Sequence, residues 1–313
     1  MANLQNEELL NYLVVLERAG RKASSEEDNR WGELIIPGPK EIRPYHHGGL
    51  KVVLFASWKF GYILLETLKI FEEQNPGRLD MVALVTDNPL NPDAKISKKK
   101  RIWHILDLPY QVVDESVIIE KALSHGMQVY TGEIKVPSFR RLLAKWNPDA
   151  ILVCVFGQVI DQAIIDYPQY GIYNFHPSDL AKHMGAGPSP YDDLVTNKSE
   201  TSLWTIHYIS EQIDSGIVVG QSPPVKVLNS YGILPQNPLV VYDKMAEALG
   251  PFAIGMIEEL CAKSESKKPG WLKRMDLSSK ISTKVKQRLM EPVKAEEPDL
   301  LLPGPESSIF SLI

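Results

Sequence analysis

Lys51-Val52-Val53-Leu54-Phe55-Ala56 is the stretch on which the fold class turns. From Val52 onward it is apolar at every position, so it suits a strand covered on both faces, as in a parallel sheet sandwiched between helices. Immediately downstream, Ile63, Leu64, Leu68 and Phe71 fall on one face of a helix, and Asn75-Pro76-Gly77 stops it. A second apolar run, Met81 to Val85, then completes a strand–helix–strand unit, which closes right-handed into a parallel sheet.

The alternation continues to the carboxyl side. A helix over Pro137 to Trp146 leads through Asn147-Pro148 into the strongest strand of the chain, Ala150 to Phe156. A short helix near Asp161 to Asp166 precedes a strand over Gly171 to Phe175. After the loop from Ser178 to Pro190 the pattern gives a helix from Tyr191 to Thr196, strands over Ser202 to Ile209 and Ile217 to Val227, and a closing helix from Tyr242 to Ala262. The expected architecture is α/β, a doubly wound and mostly parallel sheet whose ligands bind beyond the carboxyl ends of the strands. Residues 50–263 form that domain. Residues 1–49 are expected as an extension: a short amphipathic helix through Leu9, Leu10, Leu13, Val14 and Leu16, a charged stretch from Arg21 to Arg30, and the linker Pro37-Gly38-Pro39. Residues 264–313, rich in Lys, Ser, Glu and Pro, are expected as a tail.

Bulk properties narrow the function classes. The 313 residues are 44% hydrophobic and 23% charged, ordinary for a globular protein, so one large core with appendages is expected. A formal net charge of −5 provides no global attraction to phosphate backbones, which argues against a DNA-binding protein. There is no apolar run long enough to span a bilayer and no secretory leader, so a cytoplasmic protein without membrane contact is expected. Cys154 and Cys261 each sit in an apolar segment and read as core residues. His46-His47, without spaced partners, reads as linker, so no metal site is expected.

Chemistry gathers at Asn174-Phe175-His176-Pro177-Ser178, a strand end running into a turn. Alternation points Asn174 and His176 the same way. A carboxamide and an imidazole on one side of a strand end can together bind the oxygen of a tetrahedral intermediate, as acyl transfer to an amine requires. Taken alone, a histidine before proline is more often structural. Further on, Ser210-Glu211-Gln212-Ile213-Asp214-Ser215-Gly216 lies between two expected strands, where a carboxylate can reach the same sheet edge and favour the imidazolium. An aspartate before Ser-Gly is also a common turn residue.

Asn-x-His-Pro-Ser followed by a downstream Asp-x-Gly turn resembles the folate-dependent formyltransferase family, which includes glycinamide ribonucleotide, methionyl-tRNA and sugar N-formyltransferases and formyltetrahydrofolate hydrolases. The resemblance covers Lys51 to Ala262, and the two motifs together are specific where neither is singly. It implies Asn174, His176 and Asp214 as the catalytic set and 10-formyltetrahydrofolate as formyl donor. It also places the pteridine between Phe156-Gly157-Gln158-Val159-Ile160 and Ser210-Glu211-Gln212-Ile213, held largely by backbone groups over an apolar floor. Phe156 and Val159 are equally readable as ordinary core. For the acceptor it implies Ser57, Lys59, Phe60, Ser178, His183 and Gly185.

The sequence also departs from the family. Ala56-Ser57-Trp58-Lys59-Phe60-Gly61 lacks the glycine-rich phosphate cradle of the glycinamide ribonucleotide enzymes, which argues against that substrate. Asp179-Leu180-Ala181 replaces the usual Leu-Leu-Pro, so the loop through Lys182, His183, Met184 and Gly185 is expected to differ in shape. Lys98-Lys99-Lys100-Arg101 follows the second strand, where the tRNA enzymes carry a basic loop, and such a run is more often a solvated face. Those enzymes also carry a carboxyl-terminal barrel of about a hundred residues, for which the stretch after Ala262 is too short. The leading expectation is therefore formyl transfer to the amine of a small molecule. The alternatives are a methionyl-tRNA formyltransferase with a reduced carboxyl-terminal region, a formyltetrahydrofolate hydrolase, or a non-catalytic folate-binding regulatory protein. The sequence leaves the oligomeric state open.

Overall fold

Main-chain hydrogen bonding in the computed structural model assembles an eight-stranded sheet in the order β1-β4-β3-β2-β5-β6-β8-β9. Residues 32–37, 49–86, 111–182 and 190–272 are described, and all lie within one unit. The strands are β1 (Gly32–Ile35), β2 (Leu50–Ala56), β3 (Leu79–Thr86), β4 (Gln128–Gly132), β5 (Ala150–Cys154), β6 (Ile172–His176), β8 (Thr205–Tyr208) and β9 (Val218–Gln221). β4, β3, β2, β5 and β6 run parallel; β1 pairs antiparallel with β4 at one edge, and at the other β8 runs antiparallel to both of its neighbours, β6 and β9. The chain builds outward from β2 through β3 to β4, then returns to lay β5 on the other side of β2. That reversal puts the topological switch point between β2 and β5, where an open sheet parts to admit a ligand.

Helices cover both faces, as the apolar runs require. α1 (Trp58–Gln74), α2 (Gln111–Ser124) and α6 (Pro238–Glu265) pack together on one face. On the other, Phe139, Leu142, Leu143 and Trp146 of α3 (Pro137–Trp146) meet Val53, Phe55, Ala83, Val85, Ile151 and Val153. The short α4 (Gln162–Ile165) completes that layer, its Asp161 cap accepting from the Ile164 N–H, and α5 (Pro190–Thr196) follows β6 in the chain. From Val52 onward both faces of β2 are therefore dry, which explains the unbroken apolar run to Ala56. Helix ends follow local chemistry. Pro137 opens α3 and Asn147 closes it in the left-handed conformation, at φ 47°. Asn237 accepts from the Leu239 N–H with Pro238 in the first turn, so α6 begins four residues before the expected start at Tyr242. Among the described residues no helix is long and apolar enough to cross a membrane. Cys154 and Cys261 are buried thiols, as read.

Four features depart from the expectations. Gly32–Ile35, placed in an extension, is an edge strand of the sheet. Gly32 permits it, because a Cβ there would lie 2.0 Å from the Tyr130 hydroxyl. α2 and β4 lie in a region to which no element is assigned from the sequence. The two late strands are each broken: β7 (Thr201–Ser202) pairs with β10 (Val225–Lys226) in a separate ribbon, away from β8 and β9. The break has a cause: Trp204 is fully buried, its main chain exchanges bonds with Ser222, and Pro223-Pro224 cannot donate to a ladder. Finally, the expected tail begins inside α6. Leu272 beyond it is buried, with its N–H on the Tyr173 hydroxyl at 2.7 Å. The readings of Leu9 to Leu16, Arg21 to Arg30, His46-His47 and Lys98 to Arg101 lie outside the described residues.

Candidate active site

β6 ends at His176, and its alternation sends Asn174 and His176 toward one side of the sheet. Its antiparallel neighbour β8 sets His207 directly opposite Asn174. The loop after β8 then brings Asp214 back over both. Its Oδ1 lies 3.7 Å from His176 Nδ1 and 3.7 Å from His207 Nε2. Two local features let this loop come so close. Asp214 takes φ 52°, a left-handed conformation that aspartate tolerates better than most residues. Gly216 passes so near β8 that a Cβ would sit 1.5 Å from the Tyr208 carbonyl. Ser210 and Ser215 brace the loop from inside by bonding each other and the Gln212 carbonyl.

His207 is the residue that sequence reasoning missed. Its Nδ1 lies 3.2 Å from the Tyr208 carbonyl, so Nδ1 carries the proton and Nε2 accepts from the Asn174 amide at 3.0 Å. That pairing fixes which end of the Asn174 carboxamide faces the histidine. Burial holds the His207 pKa below the ordinary histidine value of 6.5, and the neighbouring His176 adds to the depression. The Asp214 carboxylate and the bond to Tyr208 pull the other way without reversing it. His207 is thus a neutral ring at pH 7. The sequence carried one faint signal, a histidine in an alternating strand shortly before the Asp-x-Gly turn.

A cleft open to solvent, with a cavity volume of about 70 Å³, lies against this cluster. Its lining includes Phe156, Gln158, Val159 and Ile160 from the loop after β5, Ser210, Glu211, Gln212 and Ile213 from the loop after β8, and Asn174, His176, His207 and Asp214 between them. Of the expected donor-site residues only Gly157 is absent from the lining. Phe156 is buried against Phe55 at 5.1 Å and forms floor, whereas Val159 and Ile213 are more than a third exposed and form an apolar rim. Val155, at φ 52°, is a β-branched residue in a strained conformation where β5 turns into the cleft.

Of the expected acceptor residues, the four that are described lie outside the lining of this cleft. Ser57 and Phe60 are buried. Phe60 packs against Trp58, Trp204 and Tyr242 at centroid distances of 4.9, 4.8 and 5.8 Å, and the Ser57 hydroxyl pairs with that of Thr86. Lys59 is paired with Asp243 at 2.7 Å, outside the cleft lining. Ser178 is likewise buried, its carbonyl accepting from the Thr205 hydroxyl in the turn after His176. His183 and Gly185 lie outside the described residues. Asp179, where the family has leucine, accepts from Gln221 of β9 at 2.8 Å and pairs with Lys182 at 3.1 Å.

Comparison with known proteins agrees with the fold. The family model described as formyl transferase matches residues 73–232, just over half of the chain. The methionyl-tRNA formyltransferase of Ureaplasma parvum is 30% identical over 171 residues, 55% of this chain and 48% of that protein. That of Syntrophus aciditrophicus is 36% identical over 102 residues, 32% of each chain. These matches span about half or less of the curated relatives' length. Among solved structures, the phosphoribosylglycinamide formyltransferase of Anaplasma phagocytophilum has a TM-score of 0.50 at 14% identity, covering 69% of this chain and 88% of its own. The Bacillus halodurans enzyme has a TM-score of 0.50 at 18% identity, covering 69% and 97%. At such identities the likeness is one of fold.

Proposed function

This chain belongs to the formyl transferase family, and on that premise we propose that it moves the formyl group of 10-formyltetrahydrofolate onto the amine of a small molecule. One observation carries the reading: a carboxamide and an imidazole from the end of β6 and a carboxylate from the loop after β8 meet in a cleft with an apolar rim. The flat heterocycle of the donor suits the gap between Phe156–Ile160 and Ser210–Ile213. Its formyl carbon then comes to Asn174 and His176.

The acceptor amine attacks that carbon, a carbon–nitrogen bond forms, and the carbonyl oxygen takes the negative charge. The Asn174 amide and a protonated His176 stabilise that oxygen, and Asp214 compensates the charge on the ring. Collapse of the intermediate breaks the bond to the folate nitrogen, which leaves with the proton the amine gives up. Asp214 relays that proton. His207 remains neutral and orients Asn174.

The names of the curated relatives favour one second reading, in which methionyl-tRNA carries the acceptor amine. A single experiment separates the two. The protein is incubated with 10-formyltetrahydrofolate and, in parallel, with small amines and nucleotide sugars or with charged methionyl-tRNA, and formylated product is read by mass spectrometry. Product only with tRNA overturns the small-molecule acceptor. Tetrahydrofolate released at full rate without any amine overturns transfer itself.

A further inference from the structure

Gln158 stands in the loop that lines one wall of the cleft, yet both ends of its carboxamide are engaged elsewhere. Oε1 accepts from the Ile134 N–H at 3.2 Å, and Nε2 donates to the Gly132 carbonyl at 2.8 Å. Those two backbone groups bracket the turn from β4 into α3, more than twenty residues away in sequence. The turn is itself well fixed. Ile134 is fully buried in the core, the Tyr130 hydroxyl donates to the Glu133 carbonyl at 2.8 Å, and Gly132 is paired with Gly32 of the edge strand.

The wall it holds has the opposite character. Among the described residues, the segment from Val155 to Ile160 makes no main-chain hydrogen bond of its own outside the sheet. Its N–H and C=O groups are therefore at the disposal of a ligand, but they have no ladder to keep them in place. A surface that reads a heterocycle through its main chain binds tightly only when that main chain is ordered beforehand, because ordering it on binding costs affinity.

We propose that Gln158 is a positioning residue for the formyl donor: by clasping the Gly132–Ile134 turn it holds the Phe156–Ile160 main chain in the arrangement that grips the pteridine. This rests on the reading of the cleft as the folate site. It gives Gln158 a task distinct from ligand contact and ties the donor wall, through β4, to the edge strand β1. The order of consequence is clasp, then main chain, then donor affinity, with the reacting groups at Asn174, His176 and Asp214 untouched.

The test compares Gln158→Leu, which keeps the bulk and removes both bonds, with Gln158→Glu, which can still accept from Ile134 but sets an oxygen against the Gly132 carbonyl. In Gln158→Leu the KM for 10-formyltetrahydrofolate should rise about tenfold while kcat stays within about twofold, and the Kd for tetrahydrofolate should rise in parallel. Amide exchange at Ile134 and along Phe156–Ile160 should accelerate in the free protein. Gln158→Glu, nearly isosteric, should also raise KM, and it carries the test if the leucine variant fails to fold. Wild-type KM and Kd in the variants overturn the proposal, as does a loss confined to kcat. A wild-type protein that binds no tetrahydrofolate overturns the folate reading instead, so the two failures are distinguishable.

Discussion

Two places in this molecule meet the general description of a ligand site in an open α/β sheet, and they are built in opposite ways. One is the end of β2, where the chain turns into α1 at the switch point. The other is the end of β6, flanked by the loops after β5 and β8. The first is plugged: Trp58, Phe60, Trp204 and Tyr242 stack edge to face, and Ser57 is turned inward to Thr86. Trp58 even holds φ 61°, a conformation costly for a bulky residue, within that packing. The second is open, with polar groups converging at its base and aliphatic side chains at its mouth. Strand ends offer places for chemistry, and side-chain filling leaves one of these two open.

The sharpest way to break this comparison is to remove the converging groups. Alanine at Asn174, His176 or Asp214 should lower the single-turnover rate of formyl transfer by about 10²–10⁴ and leave the thermal midpoint near wild type. Near-normal rates in all three would end the case for the open site. Phe60→Ala should do the reverse, costing about 3–5 kcal/mol of folding stability by urea titration while the KM for the acceptor stays unchanged. A changed acceptor KM at full folding would show that the aromatic plug is part of the site after all.

A smaller effect sharpens the role of the Asp214 loop. Gly216→Ala cannot keep the present approach to Tyr208, so the carboxylate should shift and the rate should fall about a hundredfold with the fold intact by circular dichroism. The smallest effect concerns His207. With Leu in its place Asn174 loses its orienting partner, and kcat should drop about tenfold. The same variant has a stability signature. Because the His207 pKa is depressed in the folded state, the unfolded chain binds the extra proton first as the pH drops below 6.5. Wild-type stability should therefore be fullest above that pH and decline from there toward the depressed value. His207→Leu should flatten that part of the decline in urea midpoints measured at pH 7.5 and 5.

The same contrast marks how far the sequence could be read. Val52–Ala56 and Ala150–Cys154 announced themselves because strands covered on both faces must be apolar throughout, and local composition records that directly. Asn174 and His176 were legible for a related reason: two residues apart on a strand end, they share a face by alternation alone. Phe60 misled because its neighbours in the plug, Trp204 and Tyr242, are far away in sequence. β1 was missed because four residues carry too little pattern to reveal an edge strand.

The sequence by itself determined the layered α/β class and the shared face of Asn174 and His176 at the end of β6, since each follows from periodicities of a few residues. Only the tertiary structure decided that β8 lies antiparallel beside β6 in the register that seats His207 against Asn174, that Gly216 lets Asp214 close over both rings, and that the end of β2 is filled. These depend on contacts between segments distant in the chain, and their geometry is set by how strands pair and loops pack, which no local pattern encodes.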